Sequence, residues 1–457
     1  MRRGEMTCMG FWPFAFALWF VAAIAKADTL PADTLHSAKG KKMVVSALEI
    51  SAVNAALVAH NRILRSDDAF SHITFSDIRR NLTHRHWWWD QDYFHTNTIE
   101  HPLHGALFYT IARANGLSAG TSSLYTLGGS WMWEMLCEAE KPSINDMVYT
   151  TVGGITIGET LYRTTTRILG ALGAKRWKGC DDTPFQTSLT AGVRTFSATT
   201  GRRVTTASLL WEAAYGDPLD VEERTGLFDC FDLSATLVFG QHQSIASQVT
   251  INSQLLGKQL VDEPLYKATA GLYNHFDYRY SLTHYDLPKG QRERKPYVYS
   301  EVGAIGPGVA YRLGDRTRWE QQFCVNAILM GAVPTFTQHE GSRGYSFGSG
   351  YGARLRSRAV IGQWLHVGAD VSWSQLFTWD GFYADDHSRT MNDPPSIQGE
   401  TGNTITLLFE PSAEVQLLPH LSLDCRGCFS HFHFNHRYHP HTSAHADEWQ
   451  LGVKYTF

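Results

Sequence analysis

The sequence has no excess of basic residues, and this absence excludes a broad electrostatic surface for nucleic acid. Its 457 residues include 40 lysines and arginines against 44 aspartates and glutamates, which gives a formal net charge of −4. The mean hydropathy of −0.24 is too low for a protein built from membrane-spanning helices. We therefore expect neither a nucleic-acid partner nor a helical membrane protein.

Recognised catalytic and cofactor motifs are also missing. No phosphate-binding glycine loop or dinucleotide fingerprint occurs, and Gly128-Gly129-Ser130 is not a Gly-x-Ser-x-Gly nucleophile turn. His101-x-x-His104 lacks the glutamate of the His-Glu-x-x-His metalloprotease motif. We predict no cofactor, and whether the protein is an enzyme stays open with a preference against it.

The seven cysteines are too scattered to indicate a disulfide framework. Cys8 precedes the apolar core of the N-terminal segment, so it is not a lipoprotein attachment site. Cys425 and Cys428 have the spacing of a redox pair but lie in an alternating segment. Residues three apart on a strand point to opposite faces, which argues against a redox role.

The N-terminus is predicted to be an export signal over residues 1–27. Arg2 and Arg3 supply the charge, Phe11 to Ile24 the apolar core, and Ala25-Lys26-Ala27 a small-x-small cleavage site. The mature chain would begin near Asp28; the alternative is an uncleaved anchor. An exported chain that reaches the outer membrane of a Gram-negative cell is the expected localisation.

Residues 28–170 are predicted to form a helical domain. Met43 to Leu64 has helical spacing but reads as too polar and too rich in small residues for a good membrane span. The stretch from Trp87 to Arg167 contains several glycines inside helical patterns, a composition that costs helix stability. We interpret these glycines as positions where backbones pack closely.

Part of this stretch, from about Trp89 to Arg163, carries a long motif pattern. It consists of Trp89-Asp90-x-Asp92, Asn97, His101-Pro102, Gly105, Tyr109, Ala112-Arg113, Gly116, Gly129-Ser130, Trp133-Glu134, Glu138, Pro142 to Asp146, Gly153-Gly154 and Gly158-Glu159. This pattern resembles a bacterial family, domain of unknown function 3943, and Tyr345-Ser346-Phe347-Gly348 with Gly350 adds a second, weaker resemblance. The family implies an exported, barrel-associated protein of Gram-negative bacteria and supplies no activity or catalytic residues.

From Phe185 to Phe457 the pattern changes to strands. The last eleven residues show it best, because Trp449, Leu451, Val453, Tyr455 and Phe457 alternate with polar residues or glycine. About twelve such strands are predicted, with short and long connections alternating near the end, and the count is uncertain between Leu256 and Lys295. The expected fold is mainly β: an antiparallel outer-membrane barrel plus a glycine-rich helical plug or periplasmic subdomain. A soluble sandwich is the alternative.

Three sets of side chains are candidates for function. His101, His104, Glu134, Asp146 and Glu159 would form an acid–base or metal site if the helices bring them together; otherwise they anchor the helices by capping and ion pairing. The second set, Arg354, Arg356 and Arg358, lies on a predicted strand and could bind an anion or lipid phosphate; the alternative is a structural network with lumen carboxylates. The third set is His431 with His433, also on a predicted strand, which could bind a metal; the alternative is a solvated polar loop.

These features support two leading hypotheses of different classes. The first is an outer-membrane barrel whose helical domain plugs it for gated passage or holds a small-molecule or lipid ligand. The second is an outer-membrane enzyme that acts on envelope lipid or glycan through His101, His104, Glu134, Asp146 and Glu159. A third, an adhesin, would depend on the long outer loops. Outer-membrane lipid is the one partner that all three share.

Overall fold

A computed structural model describes residues 39–64, 71–83, 87, 89–90, 92–171, 183–198, 203–221, 228, 230–239, 247–286, 292–334, 345–379, 402–437 and 440–457. Within it the chain divides into two compact units, a helical one and a β-sheet one, with the division at residues 181 and 182. The predicted export signal, Trp88, Cys180 and His439 lie outside the described residues.

The helical unit consists of six α-helices and three short π-helical segments in its described part. Each π segment adjoins an α-helix without a break, so it widens one turn of a longer helix. The α-helices are α1 (Lys39–Leu64), α2 (Phe75–Thr83), α3 (His101–Ala114), α4 (Ala119–Met132), α5 (Ile144–Val148) and α6 (Gly154–Ala171), and the π segments are π1 (Thr96–Glu100), π2 (Trp133–Cys137) and π3 (Tyr149–Gly153).

Glycines let the helices approach to backbone contact, as the sequence predicts. A Cβ added to Gly105 in α3 would lie 1.7 Å from the backbone oxygen of Thr150. One added to Gly154 in α6 would lie 2.6 Å from the Cα of Gly105. Side chains do not fit between α3 and the π3–α6 helix, so these glycines fix the distance at which polar groups from the two helices meet.

Helix α1 is more apolar than we predicted. Residues 40–64 are long and apolar enough to cross a membrane, with a mean hydropathy of 1.6 over the best window. The small alanines raise this mean although they contribute little amphipathicity. The buried side of α1 packs Ile50 and Val53 against Phe108 and Ile111 of α3.

The second unit is a closed antiparallel barrel of twelve strands, which confirms the predicted fold class. Each strand pairs with its neighbours in sequence, and β1 closes the ring by pairing with β12. The strands are β1 (Phe185–Ala198), β2 (Val204–Tyr215), β3 (Cys230–Phe239), β4 (Gln248–Glu263), β5 (Tyr266–Asp286), β6 (Arg292–Gly314), β7 (Thr317–Pro334), β8 (Tyr345–Ile361), β9 (Leu365–Thr378), β10 (Gly402–Leu418), β11 (Leu421–His436) and β12 (Thr442–Thr456).

The strand count that was uncertain between Leu256 and Lys295 is resolved by strand length. Only Pro264 and Leu265 separate β4 from β5, and β5 and β6 are the longest strands of the barrel. The alternation of connections therefore continues through this region. At the same end of the barrel as the chain terminus, Gly314 and Gly362 take positive φ values of 91° and 58° in tight connections.

The outer wall of the barrel is apolar and the inner wall is polar. On β12, Trp449, Leu451, Val453 and Tyr455 are exposed, whereas Gln450 between them is buried. Strands that turn an apolar, aromatic-rich surface outward and polar side chains inward are the architecture of outer-membrane proteins. Other exposed apolar side chains continue this surface: Val309, Trp319, Phe323, Val325, Tyr351, Leu355, Val367, Trp373, Leu407, Phe409, Leu423 and Phe429.

Candidate functional site

Three carboxyl side chains of the helical unit lie close to one another near π2 and α5. Glu134 and Glu138 come from π2 and the residue that ends it, and Asp146 comes from α5. Glu134 and Asp146 are buried, and Glu138 is half-buried. We refer to Glu134, Glu138 and Asp146 as the carboxyl cluster. π-Helical turns are rare and often occur at functional sites because they displace side chains from the regular helical positions.

Ser143 and Asn145 hold the cluster in place through short hydrogen bonds. The Ser143 backbone N–H donates to Glu134 Oε2 over 2.8 Å, while its hydroxyl caps α5 by accepting from the Asp146 N–H. Asn145 Nδ2 donates to Asp146 Oδ1 over 2.7 Å. The Asp90 N–H donates to Asn145 Oδ1 over 2.7 Å, which attaches the segment before π1 to the same network.

Burial and mutual repulsion both disfavour the charged forms of this cluster. Burial raises the pKa of Glu134 well above its usual range, and Glu138 and Asp146 raise it further. The pKa of Glu138 is raised by burial and by Asp146, and the pKa of Asp146 by burial and by Asp92. Within the described chain, no lysine or arginine forms an ion pair with any of the three.

His101 is the basic group that reaches the cluster. Its Nε2 lies 3.4 Å from Asp146 Oδ1, and its Nδ1 lies 3.3 Å from the Thr150 hydroxyl in π3. Burial lowers the pKa of His101, against the opposing effect of Asp92 and Glu100. An imidazole whose pKa is lowered, beside a carboxyl whose pKa is raised, can exchange a proton with it, which is the arrangement that acid–base chemistry requires.

The structure places His104 away from this cluster, although the sequence grouped it with His101. His104 Nε2 lies 3.2 Å from Asn54 Oδ1 of α1, and its ring stacks edge-on against Trp133. Burial, with a smaller contribution from His101, lowers its pKa to about 3. His104 therefore links α3 to α1 as a neutral hydrogen-bonding group.

Glu159 belongs to a separate ion-pair network farther along α6. Its Oε2 accepts from the Tyr109 hydroxyl over 2.9 Å and from Arg113 Nε over 2.8 Å. Its Oε1 accepts from Arg163 Nε over 2.7 Å. The Arg113 guanidinium also lies over the Tyr162 ring. Glu159 is fully compensated, and its contacts are those of a clamp between α3 and α6.

The sequence predicted one site of five residues. The structure brings three of them together, His101, Glu134 and Asp146, and places the other two elsewhere. The prediction missed Glu138, Ser143 and Asn145, which complete the network. The signal was present, because all three belong to the pattern that resembles the bacterial family. Helical periodicity could not find them, because the π turns and the extended residues before α5 interrupt it.

The predicted arginine ladder lies on the inner wall of β8, where two members are paired with carboxylates. Arg354 binds Glu301 of β6 and the Ser372 hydroxyl of β9. Arg356 binds Asp370 of β9 over 3.1 Å and Asp232 of β3. Arg358 is exposed, and no ion pair joins it to another described residue.

Some of these contacts cross the interior of the barrel. Arg356 reaches Asp232 on β3, and Arg279 on β5 binds Glu410 on β10 over 2.8 Å, although neither pair of strands is adjacent. Arg426 on β11 likewise binds Glu212 on β2 over 2.7 Å. An aromatic layer formed by Phe196, Tyr297, Tyr299 and Phe432 also joins β1, β6 and β11. The described side chains thus bridge the lumen from wall to wall.

His431 and His433 lie on the outer wall of β11, and the observed partner of His431 differs from the predicted one. His433 shares a face with His431 but contacts the hydroxyl of Ser443 and Asn435. His431 Nδ1 instead lies 2.9 Å from His445 Nδ1 on β12. In the described part of the chain, no group of three or more histidine, cysteine or acidic residues is arranged to hold a metal.

Comparison with known proteins confirms the resemblance seen in the sequence. Residues 86–180 match the model of a family described as "Domain of unknown function (DUF3943)". The match contains the carboxyl cluster, His101 and the Glu159 network, and the barrel lies outside it. Comparison with curated proteins gave no match.

Solved structures similar to this chain are β-barrels, all at low identity. The NanC porin is 7% identical over 58% of this chain and 98% of its own, with a TM-score of 0.24. Omp33 of Acinetobacter baumannii is 10% identical over 60% and 99%, with a TM-score of 0.22. The transport unit of the autotransporter AIDA-I from Escherichia coli is 12% identical over 65% and 98%, with a TM-score of 0.24. The barrel fold of this chain is defined by its own strand pairing, independently of these similarities.

Proposed function

We propose that this protein is an outer-membrane barrel whose helical unit holds a small ligand at the carboxyl cluster. The observation that carries the proposal is two buried carboxyl groups, Glu134 and Asp146, beside half-buried Glu138, with His101 as the basic neighbour of Asp146. Buried charge without compensation costs several kcal/mol, about 3 to 5 for a broken pair. A fold that keeps such a cluster does so for a purpose other than its own stability.

The chemistry of the cluster defines the ligand class. Carboxyl groups accept hydrogen bonds, and an approaching cation stabilises their ionised form, so a ligand with an ammonium group or several hydroxyls complements them. Aminosugars and lipids with an amine headgroup combine these features and occur in a cell envelope. Half-buried Glu138 would be the first member of the cluster that such a ligand meets.

Native mass spectrometry of the full chain purified from outer membranes tests the proposal. We expect a bound species of defined mass in the wild type that is lost in Asp146→Asn and in Glu134→Gln, because both changes keep the shape and remove the carboxyl. Asp77→Asn, which alters an acid on α2 paired with Arg80, serves as the matched control and should retain the species. Ligand holding is contradicted if the wild-type protein carries no bound species. It is also contradicted if the Asp77→Asn control loses the species as fully as Asp146→Asn and Glu134→Gln do.

An enzyme is the second candidate, and the contact between His101 and Asp146 favours it. A carboxylic acid that stays protonated near neutral pH can act as a general acid, with the adjacent imidazole as its base. The substrate would then belong to the same envelope class, lipid or glycan. His101→Asn separates this candidate from ligand holding, because it should leave a bound species in place while abolishing turnover.

Gated passage through the barrel, with the helical unit as a plug, is a further candidate with its own test. The bridges Arg279–Glu410 and Arg356–Asp232 would have to part before a solute could pass. Planar-bilayer conductance should then be measured for the intact chain and for one lacking residues 43–167. A steady pore that opens only after deletion supports the plug, whereas silence of both folded forms removes it.

A further inference from the structure

The outer wall of the barrel carries a cross-strand histidine pair at the end away from the chain terminus. His431 of β11 and His445 of β12 occupy directly opposed register positions. Their Nδ1 atoms are 2.9 Å apart, and their ring centroids are 4.4 Å apart. One ring donates its Nδ1 proton to the other in this arrangement, since two bare lone pairs would repel each other.

We propose that this pair is a chelating site for a divalent transition-metal ion, with Cu²⁺ as the preferred ion. Imidazole nitrogen is a good ligand for copper, nickel and zinc, and copper binds most tightly in the general order of divalent affinities. Two nitrogens about 2.0 Å from a common ion and separated by this contact distance subtend about 90° at the metal. That is the cis angle of the tetragonal geometry that Cu²⁺ and Ni²⁺ adopt, and it is narrower than the tetrahedral angle of Zn²⁺.

The surroundings give the ion a groove in which to bind and a nearby carboxylate that would have to leave its present partner to become a third donor. His431 and His445 line a groove of about 430 Å³ together with Asp447, Ser197 and apolar side chains that include Phe409 and Phe429. Asp447 lies on the same face of β12 two residues after His445, and its carboxylate accepts from Arg203 over 2.8 Å. That partner is 54% exposed. An exposed arginine can be displaced at little cost, which frees the carboxylate for the ion.

Metal binding needs a tautomer change and a rotation of the two rings in the histidine pair. Both Nδ1 lone pairs must face the ion, so the ring that donates its Nδ1 proton in the free protein must carry that proton on Nε2 instead. No oxidation or bond cleavage is involved. The remaining coordination positions would be filled by water or by an oxygen from an outer-leaflet lipid, which places the site where envelope cations are found.

Copper titration of the untagged, full-length protein in detergent micelles tests this site, with isothermal calorimetry and electron paramagnetic resonance as the two readouts. We expect one site with two directly bound nitrogens in the wild type. His431→Asn and His445→Asn should each weaken copper binding by at least about tenfold. Removing a residue that only hydrogen-bonds to a metal ligand already weakens affinity by about that factor, and removing the ligand itself should cost at least as much. Both variants should remain folded, since these side chains lie on the outer wall.

His433→Asn is the matched control. It removes a histidine from the same face of β11, two residues from His431, whose contacts are Ser443 and Asn435. We expect its copper affinity and its spectrum to equal those of the wild type. Unchanged binding in either His431→Asn or His445→Asn overturns the proposal, as does an equal loss in His433→Asn.

Discussion

The two units of this protein bury carboxylates in opposite ways. In the barrel, Asp277 and Glu410 share the guanidinium of Arg279, and Glu212 is held by Arg426 and Lys454. Among the described residues of the helical unit, His101 is the one basic side chain in contact with the carboxyl cluster of Glu134, Glu138 and Asp146. The barrel network is built to be stable, whereas the cluster retains an electrostatic cost that a ligand or a proton can relieve.

The helical unit contains its own internal contrast. Glu159 is as deeply buried as Glu134, yet it has two arginines and a tyrosine as partners. The fold is therefore able to compensate a carboxylate between α3 and α6. That it does so at Glu159 and not at Asp146 is the contrast on which the proposed ligand site rests.

The largest effect is expected where a compensated barrel network is broken. Arg279→Ala leaves Asp277 and Glu410 inside the barrel without their cation. We expect a loss of about 3 to 5 kcal/mol in the free energy of unfolding. The shift of the heat-dependent gel mobility of the barrel and urea unfolding in micelles both measure it.

Arg203→Ala is the control for this prediction, because its pair with Asp447 is exposed and should be worth about 0 to 1 kcal/mol. An Arg279→Ala variant as stable as Arg203→Ala would show that the lumen bridges are not structural.

The Glu159 clamp should come next in size. Glu159→Gln keeps the shape but removes the charge that holds Arg113 and Arg163, and we expect a cost of about 2 to 3 kcal/mol to the helical unit. Hydrogen-exchange protection of α3 and α6 in the full chain is the measurement. Protection equal to wild type would mean that the arginines find water or other acceptors, and the contrast with Asp146 would weaken.

His104 should make the helical unit sensitive to acid. Its folded pKa of about 3 is below that of an unfolded histidine, so the stability it provides is complete above about pH 6.5 and is lost as the pH falls toward 3. We expect His104→Gln to remove about 1 to 2 kcal/mol of the stability difference between pH 7 and pH 5. Exchange protection factors of α1 and α3 at the two pH values give this difference. An unchanged slope would mean that His104 is not buried as a neutral ring.

The smallest expected effect is that of Asp146→Asn, which should stabilise the helical unit rather than destabilise it. The pKa of Asp146 is raised, so its stabilising protonated form is complete below its unfolded pKa of 3.8 and is lost as the pH rises through the folded pKa. Asp146→Asn should therefore stabilise the helical unit by about 1 kcal/mol at pH 8 and by almost nothing at pH 4. Exchange protection of α5 and α6 at both pH values measures the gain, and destabilisation at pH 8 would contradict the assignment of an uncompensated carboxyl.

Much of the fold could be predicted, because each barrel strand alternates apolar lipid-facing residues with polar lumen-facing residues. Trp449, Leu451, Val453 and Tyr455 show the lipid face of β12 directly, and the same period runs through the other strands. The opposite orientations of Cys425 and Cys428 followed from the same rule, and Cys428 lies inside against Arg279. The length of β5 and β6 was harder to predict, because long strands with glycine interrupt the alternation.

The candidate site was predicted only in part. Its residues could be recognised as polar groups in glycine-rich helices. The sequence did not show, however, that Asp146 and Glu159, thirteen residues apart, belong to two separate networks. Their separation depends on the π turns and on the contact of Gly105 with Gly154, which are consequences of packing. The pairing of His431 with His445 rather than His433 depended on the strand register.

The sequence by itself determined the barrel, the helical segment and the polar residue types, since these follow from periodicities of two and 3.6 residues that act over a few positions. Only the tertiary structure decided which of the described carboxylates pair with a cation in the described chain and which do not. Charge compensation is settled by distances of 3 to 4 Å between residues far apart in the chain, such as Arg279 and Glu410. No local pattern reports those distances, because they are set by how strands and helices meet.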